Sequence, residues 1–224
     1  MDAKNIITIK NLHKTYPGEV PLHVLKGVSF SVKKGEFVAI MGRSGSGKST
    51  LLHQLSLLDS PDKGEIIVEG KELTALSDSE KTKFRLEHFG YVFQEYALLP
   101  GFSAEEAVSL PLILRGCSIR ESKKRAREIL EMVQLGDRIK HFPSEISGGE
   151  QQKVAVARAL ANNPKILFAD EPCANLDSEA STVILELFRK LNKELNQTVI
   201  LVTHEPEDEK YVDRILHMKD GILQ

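Results

Sequence analysis

Short apolar runs recur along the chain, each bounded by glycine, proline or charged residues: "IITI", "VLKGVSFSV", "FVAIM", "EIIVEG", "YVF", "KILFAD" and "TVILVTH". Continuous runs such as "FVAIM" and "KILFAD" suit strands buried on both faces, as in a parallel α/β sheet. Near the N-terminus the pattern alternates instead, with Ile7 and Ile9, then Val28, Phe30 and Val32. That period of two predicts half-exposed antiparallel strands. Helical periodicity covers Lys48 to Leu57, the segment after Ser147, and Ser178 to Leu195. Between "YVFQ" and "KILFAD" no strand pattern occurs, and "SAEEAVSLPLIL", "SIRESKKRAREILEMVQL" and the Ser147 segment all read as helices. The expectation is a single α/β domain over residues 1–224. Its core, with a mostly parallel sheet and an N-terminal antiparallel β part, spans 1–94 and 163–224, and an α-helical subdomain is inserted over 95–162. Asp220-Gly221 near the end is a hairpin signal.

Composition changes this picture little. With 41% hydrophobic and 28% charged residues and a net charge of -2, the chain is an ordinary globular protein. Bulk charge gives no reason to expect a nucleic-acid partner. No apolar run approaches the roughly 20 residues of a membrane-spanning helix. The N-terminal stretch is too polar for a secretory leader. Cys117 and Cys173 make no disulfide framework, so a reducing compartment is expected. The seven histidines are scattered, so no zinc site is expected.

Chemistry enters with "IMGRSGSGKST", which follows the run "FVAIM" and opens a helical pattern. It fits G-x-x-x-x-G-K-[ST] through Gly42, Gly47, Lys48 and Ser49 in the strand–loop–helix context that motif requires. Glycines, here with Ser44 and Gly45 between them, let backbone amides converge on phosphate oxygens at a helix N-terminus. Lys48 reaches the outer phosphates, Ser49 ligates Mg²⁺, and Thr50 follows in the first turn. A plain Gly/Ser turn would leave the lysine and the hydroxyl unexplained. "KILFADE" supplies Asp170, fitted to hold Mg²⁺, and Glu171, placed to polarise an attacking water. His204 and Gln94 each end a further buried run; each reads either as a phosphate-site ligand or as a structural strand end.

The stretch "SEISGGEQQKVAVARAL" poses a separate problem. Ser147 and Glu150 form a capping box on sequence, satisfying two orphan amides. That box does not explain Gly148 and Gly149 in an opening turn, where glycine costs up to ~1 kcal/mol against alanine.

Together these motifs resemble the ATP-binding subunits of ABC transporters, over essentially the whole chain and in the family's order. "KTY" with Tyr16 is similar to the A-loop, "GRSGSGKST" to the Walker A, "VFQ" with Gln94 to the Q-loop and "ISGGEQQKVAVARAL" to the signature region. "ILFADEP" is similar to the Walker B, "NLD" (Asn175 to Asp177) to the D-loop, and "VTH" with His204 to the switch. Three departures from the family's pattern involve four positions. The signature pentapeptide, usually LSGGQ, begins at Ile146 and ends at Glu150, Lys153 replaces an arginine, and Cys173 replaces a threonine.

The resemblance implies a P-loop NTPase that binds ATP and Mg²⁺ and works as a head-to-tail dimer. Each ATP would then lie between one copy's Walker A and the other's signature. It implies that Tyr16 stacks on adenine and that Ser147, Gly148 and Gly149 meet the partner's phosphate. Gln94 would touch Mg²⁺, Asp177 would cross the interface, and His204 would hold the γ-phosphate. Among the branches, short length and "AVSLPLILRG" resemble the lipoprotein-release and macrolide-export group. A separate integral-membrane permease would dock beside the Q-loop and hold the subunit on the cytoplasmic face of the membrane. Tyr96, Leu98, Leu99 and Phe102 would either line that groove or pack the lobe. A regulatory ATPase of the cell-division type is the alternative. A soluble ABC protein acting on DNA or ribosomes usually carries two cassettes or a long coiled coil, and this chain has neither.

Overall fold

The structure, a computed structural model, describes residues 5–224. The chain divides into two compact units: one runs to Lys83 and resumes over Leu191–Gln224, and the other comprises Phe84–Lys190.

In the first unit the alternating N-terminal segments become β1 (Asn5–Tyr16) and β2 (Leu22–Lys33), antiparallel to one another. They join β4 (Lys63–Val68) and β5 (Lys71–Glu72) in a four-stranded antiparallel sheet of order β2-β1-β4-β5. β1 slips register between Ile9 and Leu12, where Asn11 adopts a left-handed φ of 50°. One extra residue in a strand switches which side chains face inward. Ile7 and Ile9 are buried before the slip, and Leu12 and Lys14 after it. The bulge is therefore what puts a lysine under this sheet.

The continuous apolar runs behave as read. β3 (Phe37–Met41) is buried at every residue and pairs in parallel with β8 (Thr198–Thr203) and with β9 (Arg214–Lys219). β10 (Ile222–Leu223) pairs antiparallel to β9 through the hairpin at Asp220 and Gly221, both with positive φ. α1 (Lys48–Leu55) follows β3.

The second unit holds a parallel pair, β6 (Phe89–Val92) and β7 (Ile166–Asp170), with Tyr91 opposite Phe168 and Val92 opposite Ala169. Between those strands lie α3 (Ala104–Leu114), α4 (Ile119–Met132) and α5 (Gly148–Leu160). Each of the three starts from a serine N-cap in a complete capping box, Ser103 with Glu106, Ser118 with Glu121, and Ser147 with Glu150. α6 matches its expected span of Ser178–Leu195.

One helix escaped the hydrophobic pattern. α2 (Asp78–His88) buries no residue fully, so it offers no apolar stripe to read. Its local signal is polar: Ser77 and Glu80 bond reciprocally across the first turn. Among the described residues no helix is long and apolar enough to cross a membrane.

Candidate functional site

Strand register decides which predicted residues share an end of the sheet. In the first unit Met41, the last residue of β3, pairs with Thr203, the last of β8. The glycine-rich loop from Gly42 and the following His204 therefore leave the sheet side by side. Ligand sites in open α/β sheets form outside the carboxyl ends of parallel strands. His204 is about half exposed there, with Nε2 3.1 Å from Glu205 Oε1. The preceding Thr203 hydroxyl donates to Asp208 Oδ2 at 2.6 Å and accepts from the Glu205 amide at 3.1 Å. Burial raises the Asp208 carboxyl above the usual range, and the Thr203 bond only partly opposes this.

The loop itself is built for close approach. A Cβ on Gly42 would lie 2.2 Å from the Met218 carbonyl oxygen. Gly47, at φ 101°, is the N-cap of α1 and supplies no side-chain acceptor. The α1 start thus differs from those of α3, α4 and α5, because the orphan amides of its first turn are not used by a side-chain cap. Lys48 is buried, and its ammonium donates to the carbonyls of Gly42 at 2.9 Å and Arg43 at 3.2 Å. An uncapped helix start behind a glycine-rich loop, with a buried ammonium, forms an anion cradle that fits a nucleotide phosphate.

Tyr16 ends β1. Its hydroxyl donates to Asp59 Oδ2 at 2.9 Å, and the Lys14 ammonium, 5.1 Å above the ring, donates to Asp59 Oδ1 at 2.8 Å and to the Ser60 carbonyl at 2.7 Å. Burial works against the Asp59 charge, but hydrogen bonds from Lys14, the Ser60 amide and Tyr16 outweigh it and hold the carboxyl below its ordinary value. Burial first, and then the bond to Asp59, raises Tyr16.

In the second unit β6 and β7 end together, so Gln94, Asp170 and Glu171 also emerge at one edge. Asp170 is buried and accepts from the Tyr91 hydroxyl at 3.3 Å. Burial and the Asp170 charge push that phenol well above its normal range. Tyr91 is therefore the proton donor in the pair. Glu171 stands at φ 42°, a left-handed conformation that costs a non-glycine residue roughly 1–3 kcal/mol. The tertiary structure thus holds the expected general base in a strained turn, immediately before Pro172.

A network ties these loops to α5. Gln152 donates to the Pro172 carbonyl at 2.7 Å, and Asn175 to the Gln94 carbonyl at 3.1 Å. Tyr96 and Ala97, both left-handed, have their carbonyls held by the Arg158 guanidinium, the Tyr96 contact being 2.9 Å. The Tyr96 hydroxyl donates to the Asn175 carbonyl at 3.3 Å. Tyr96 therefore serves the unit's own packing. Leu99 and Phe102 are exposed.

At the start of α5 the capping box closes as expected, with Ser147 Oγ accepting from the Glu150 amide at 3.2 Å and Glu150 Oε2 accepting from the Ser147 amide at 2.9 Å. The box leaves the amides of Gly148 and Gly149 without a side-chain cap. The glycines also have a local role: an added Cβ would lie 3.0 Å from the Tyr96 hydroxyl at Gly148 and 3.3 Å from Ala180 Cβ at Gly149. Asp177 accepts from the Ala180 amide at 2.8 Å, capping α6. Ser147, Gly149, Glu150, Lys153 and Asp177 line a cavity of about 260 Å³. Signature and D-loop residues thus share one recess.

Sequence reading missed Tyr91, Arg158, Gln152 and Asp59. Arg158 and Gln152 lie on a helix that was expected, but nothing in the sequence pairs them with the carbonyls of Tyr96, Ala97 and Pro172. Tyr91 could be matched to Asp170 only through strand register. Among the described residues no group of His, Cys, Asp and Glu is arranged as a metal cage. Ser49, Gln94 and Asp170 are instead single hard oxygen donors, of the kind that hold Mg²⁺ together with substrate phosphates.

The chain is similar to known proteins over most of its length. Residues 25–174 match the family described as ABC transporter. The lipoprotein-releasing system ATP-binding protein LolD 2 of Caulobacter vibrioides is 46% identical, covering 96% of this chain and 94% of the relative. The macrolide export ATP-binding/permease protein MacB of Bdellovibrio bacteriovorus is also 46% identical, over 98% of this chain but 33% of its own length. The dimeric post-hydrolysis structure of the ATP-binding cassette MJ0796, bound to ADP and Pi, superposes with a TM-score of 0.90 at 44% identity, covering 97% of this chain and 96% of that one. MJ0796 is a protein of Methanocaldococcus jannaschii. The chain belongs to the ABC transporter family and is an ATP-hydrolysing, ATP-binding cassette.

Proposed function

We propose that the chain is the ATPase motor of a lipoprotein-release or macrolide-export type transporter. Two copies close head to tail on ATP and drive a separate integral-membrane permease at the cytoplasmic face. The observation that carries the reading is the contrast between two helix starts. α1 lacks a side-chain cap and sits behind a lysine, whereas α5 is capped yet leaves two glycine amides outside its box. One is suited to hold a triphosphate, and the other to receive the phosphate that a second copy presents.

In this reading Tyr16 stacks on the base. Loop residues Gly42, Ser44, Gly45 and Gly47 with Lys48 and Thr50 grip the phosphates. Ser147, Gly148 and Gly149 cap the γ-phosphate of the opposite copy, and Asp177 reaches across. Glu171 takes the proton of a water attacking in line, and His204 donates to the γ-phosphate oxygens. Ser49, Gln94 and Asp170 would hold Mg²⁺, which when bound neutralises phosphate charge. Similarity to LolD 2 and MacB supports the branch.

The test is Glu171→Gln. With saturating ATP it should run as a dimer in size-exclusion chromatography and hydrolyse at less than a hundredth of the wild-type rate. A monomer, or normal turnover, overturns the role assignment.

A further inference from the structure

Glu150 places a negative charge in the same first turn as the amides that, in the proposed function, receive a phosphate. The structure shows what offsets it. Arg138, in the short 3₁₀ turn Gly136–Arg138 that follows α4, donates from Nε to Glu150 Oε1 at 2.9 Å. The carboxylate is thus divided between two tasks: Oε2 accepts the Ser147 amide at 2.9 Å, and Oε1 faces the guanidinium. The Ser147 backbone bond is the first cause holding Glu150 below its ordinary value, with the Arg138 contacts adding to it. Both side chains keep partial exposure, at 41% and 28%, so the pair sits at a surface edge rather than in the core.

The chemistry of the pair is selective. A glutamine at 150 could still accept the Ser147 amide through its carbonyl oxygen. Its amide group would then face Arg138, donor to donor. An arginine at 138 therefore matches a carboxylate at 150 and not the family's usual amide.

We propose that Arg138 is a positioning residue for the nucleotide sandwich. It neutralises Glu150 and fixes the carboxylate in the capping box, so that Ser147, Gly148 and Gly149 meet the partner's phosphate without an uncompensated Glu150 charge beside them. The inference rests on the proposed dimeric reading of the signature. Its substrate is the terminal phosphate of an ATP carried by a second copy of this chain.

The experiment titrates ATP-dependent dimerisation in the Glu171→Gln background, with Arg138→Gln, Glu150→Gln and the double substitution added. Arg138→Gln should raise the half-maximal ATP concentration about tenfold, the size of effect a 1.4 kcal/mol change produces. Adding Glu150→Gln to it should restore at least half of that loss, because the uncompensated charge is gone. The penalty should also shrink as salt rises, since a partly exposed charge is screened over about 10 Å at 0.1 M. Equal Tm values across the set exclude simple unfolding. A loss that Glu150→Gln fails to rescue makes Arg138 merely structural and overturns the proposal, as does no loss at all. A Ser147→Arg variant, which blocks the half-site with a bulky cation, keeps the two readings apart. If it too dimerises normally, the signature reading itself falls. If it does not, while Arg138→Gln dimerises like its parent, only the positioning role falls.

Discussion

The Tyr16 hydroxyl donates to Asp59 Oδ2 at 2.9 Å, which locks the ring proposed to stack on the nucleotide base against a loop 43 residues away in sequence. Asp59 is in turn held by Lys14, a residue that the β1 bulge rotates inward. Asp59→Ala should therefore raise the KM for ATP by about three- to tenfold with kcat little changed, since one net hydrogen bond contributes about 0.5–1.5 kcal/mol. Tyr16→Phe, which keeps the ring, should cost less than Tyr16→Ala. Steady-state kinetics with ATP check both, and a fall in kcat at unchanged KM would contradict the positioning role.

Gly149 sits where alanine would be the better helix former by up to ~1 kcal/mol. The added methyl would lie 3.3 Å from Ala180 Cβ, a tight but adjustable contact. The two effects nearly offset, so Gly149→Ala should shift Tm by less than about 4 °C, the change expected for one kcal/mol in a chain of this size. ATPase activity should nevertheless fall at least tenfold. Thermal unfolding and phosphate release, measured on the same preparation, separate the two readings. Full activity would leave the glycine with only its packing role.

Arg158 holds two adjacent left-handed residues, Tyr96 and Ala97, by their carbonyl oxygens. Arg158→Ala removes both donors at once. The 95–98 loop should exchange its amide hydrogens faster, and stability should fall by about 1.5–3 kcal/mol, the range for hydrogen bonds made by a charged group. Hydrogen–deuterium exchange resolved to that peptide is the measurement. Protection unchanged from wild type would show that other contacts hold the turn.

Asp208 should make stability depend on pH in a defined direction. Its folded pKa is raised by burial, and Glu205 and Glu207 push the same way while Thr203 and His204 oppose. A raised carboxyl binds its proton more tightly in the folded chain. The stability this contributes is therefore present below the unfolded pKa, near 3.9, and is lost as pH rises through the folded pKa. Asp208→Asn removes the ionisation while keeping an oxygen acceptor for Thr203. It should melt higher than wild type at pH 7, with the advantage disappearing by about pH 4. Melting curves across that range test it, and an advantage independent of pH would point to a cause other than ionisation.

The primary structure determined the fold class and nearly all of the candidate site, because each depends on local chemistry. Runs such as "FVAIM" and "TVILVTH" must be buried on both faces, and a glycine-rich loop ending in Lys48 and Ser49 has few other uses. The capping pair Ser147 and Glu150 marked the start of α5 for the same reason. α2 was not legible, since a helix that buries nothing leaves no periodic stripe. The tertiary structure alone decided which partners hold the site's residues in place. Register set Tyr91 beside Asp170, a bulge turned Lys14 toward Asp59, and the turn after α4 brought Arg138 to Glu150. These contacts join residues far apart along the chain, and only the packing of strands and helices fixes the distance between them.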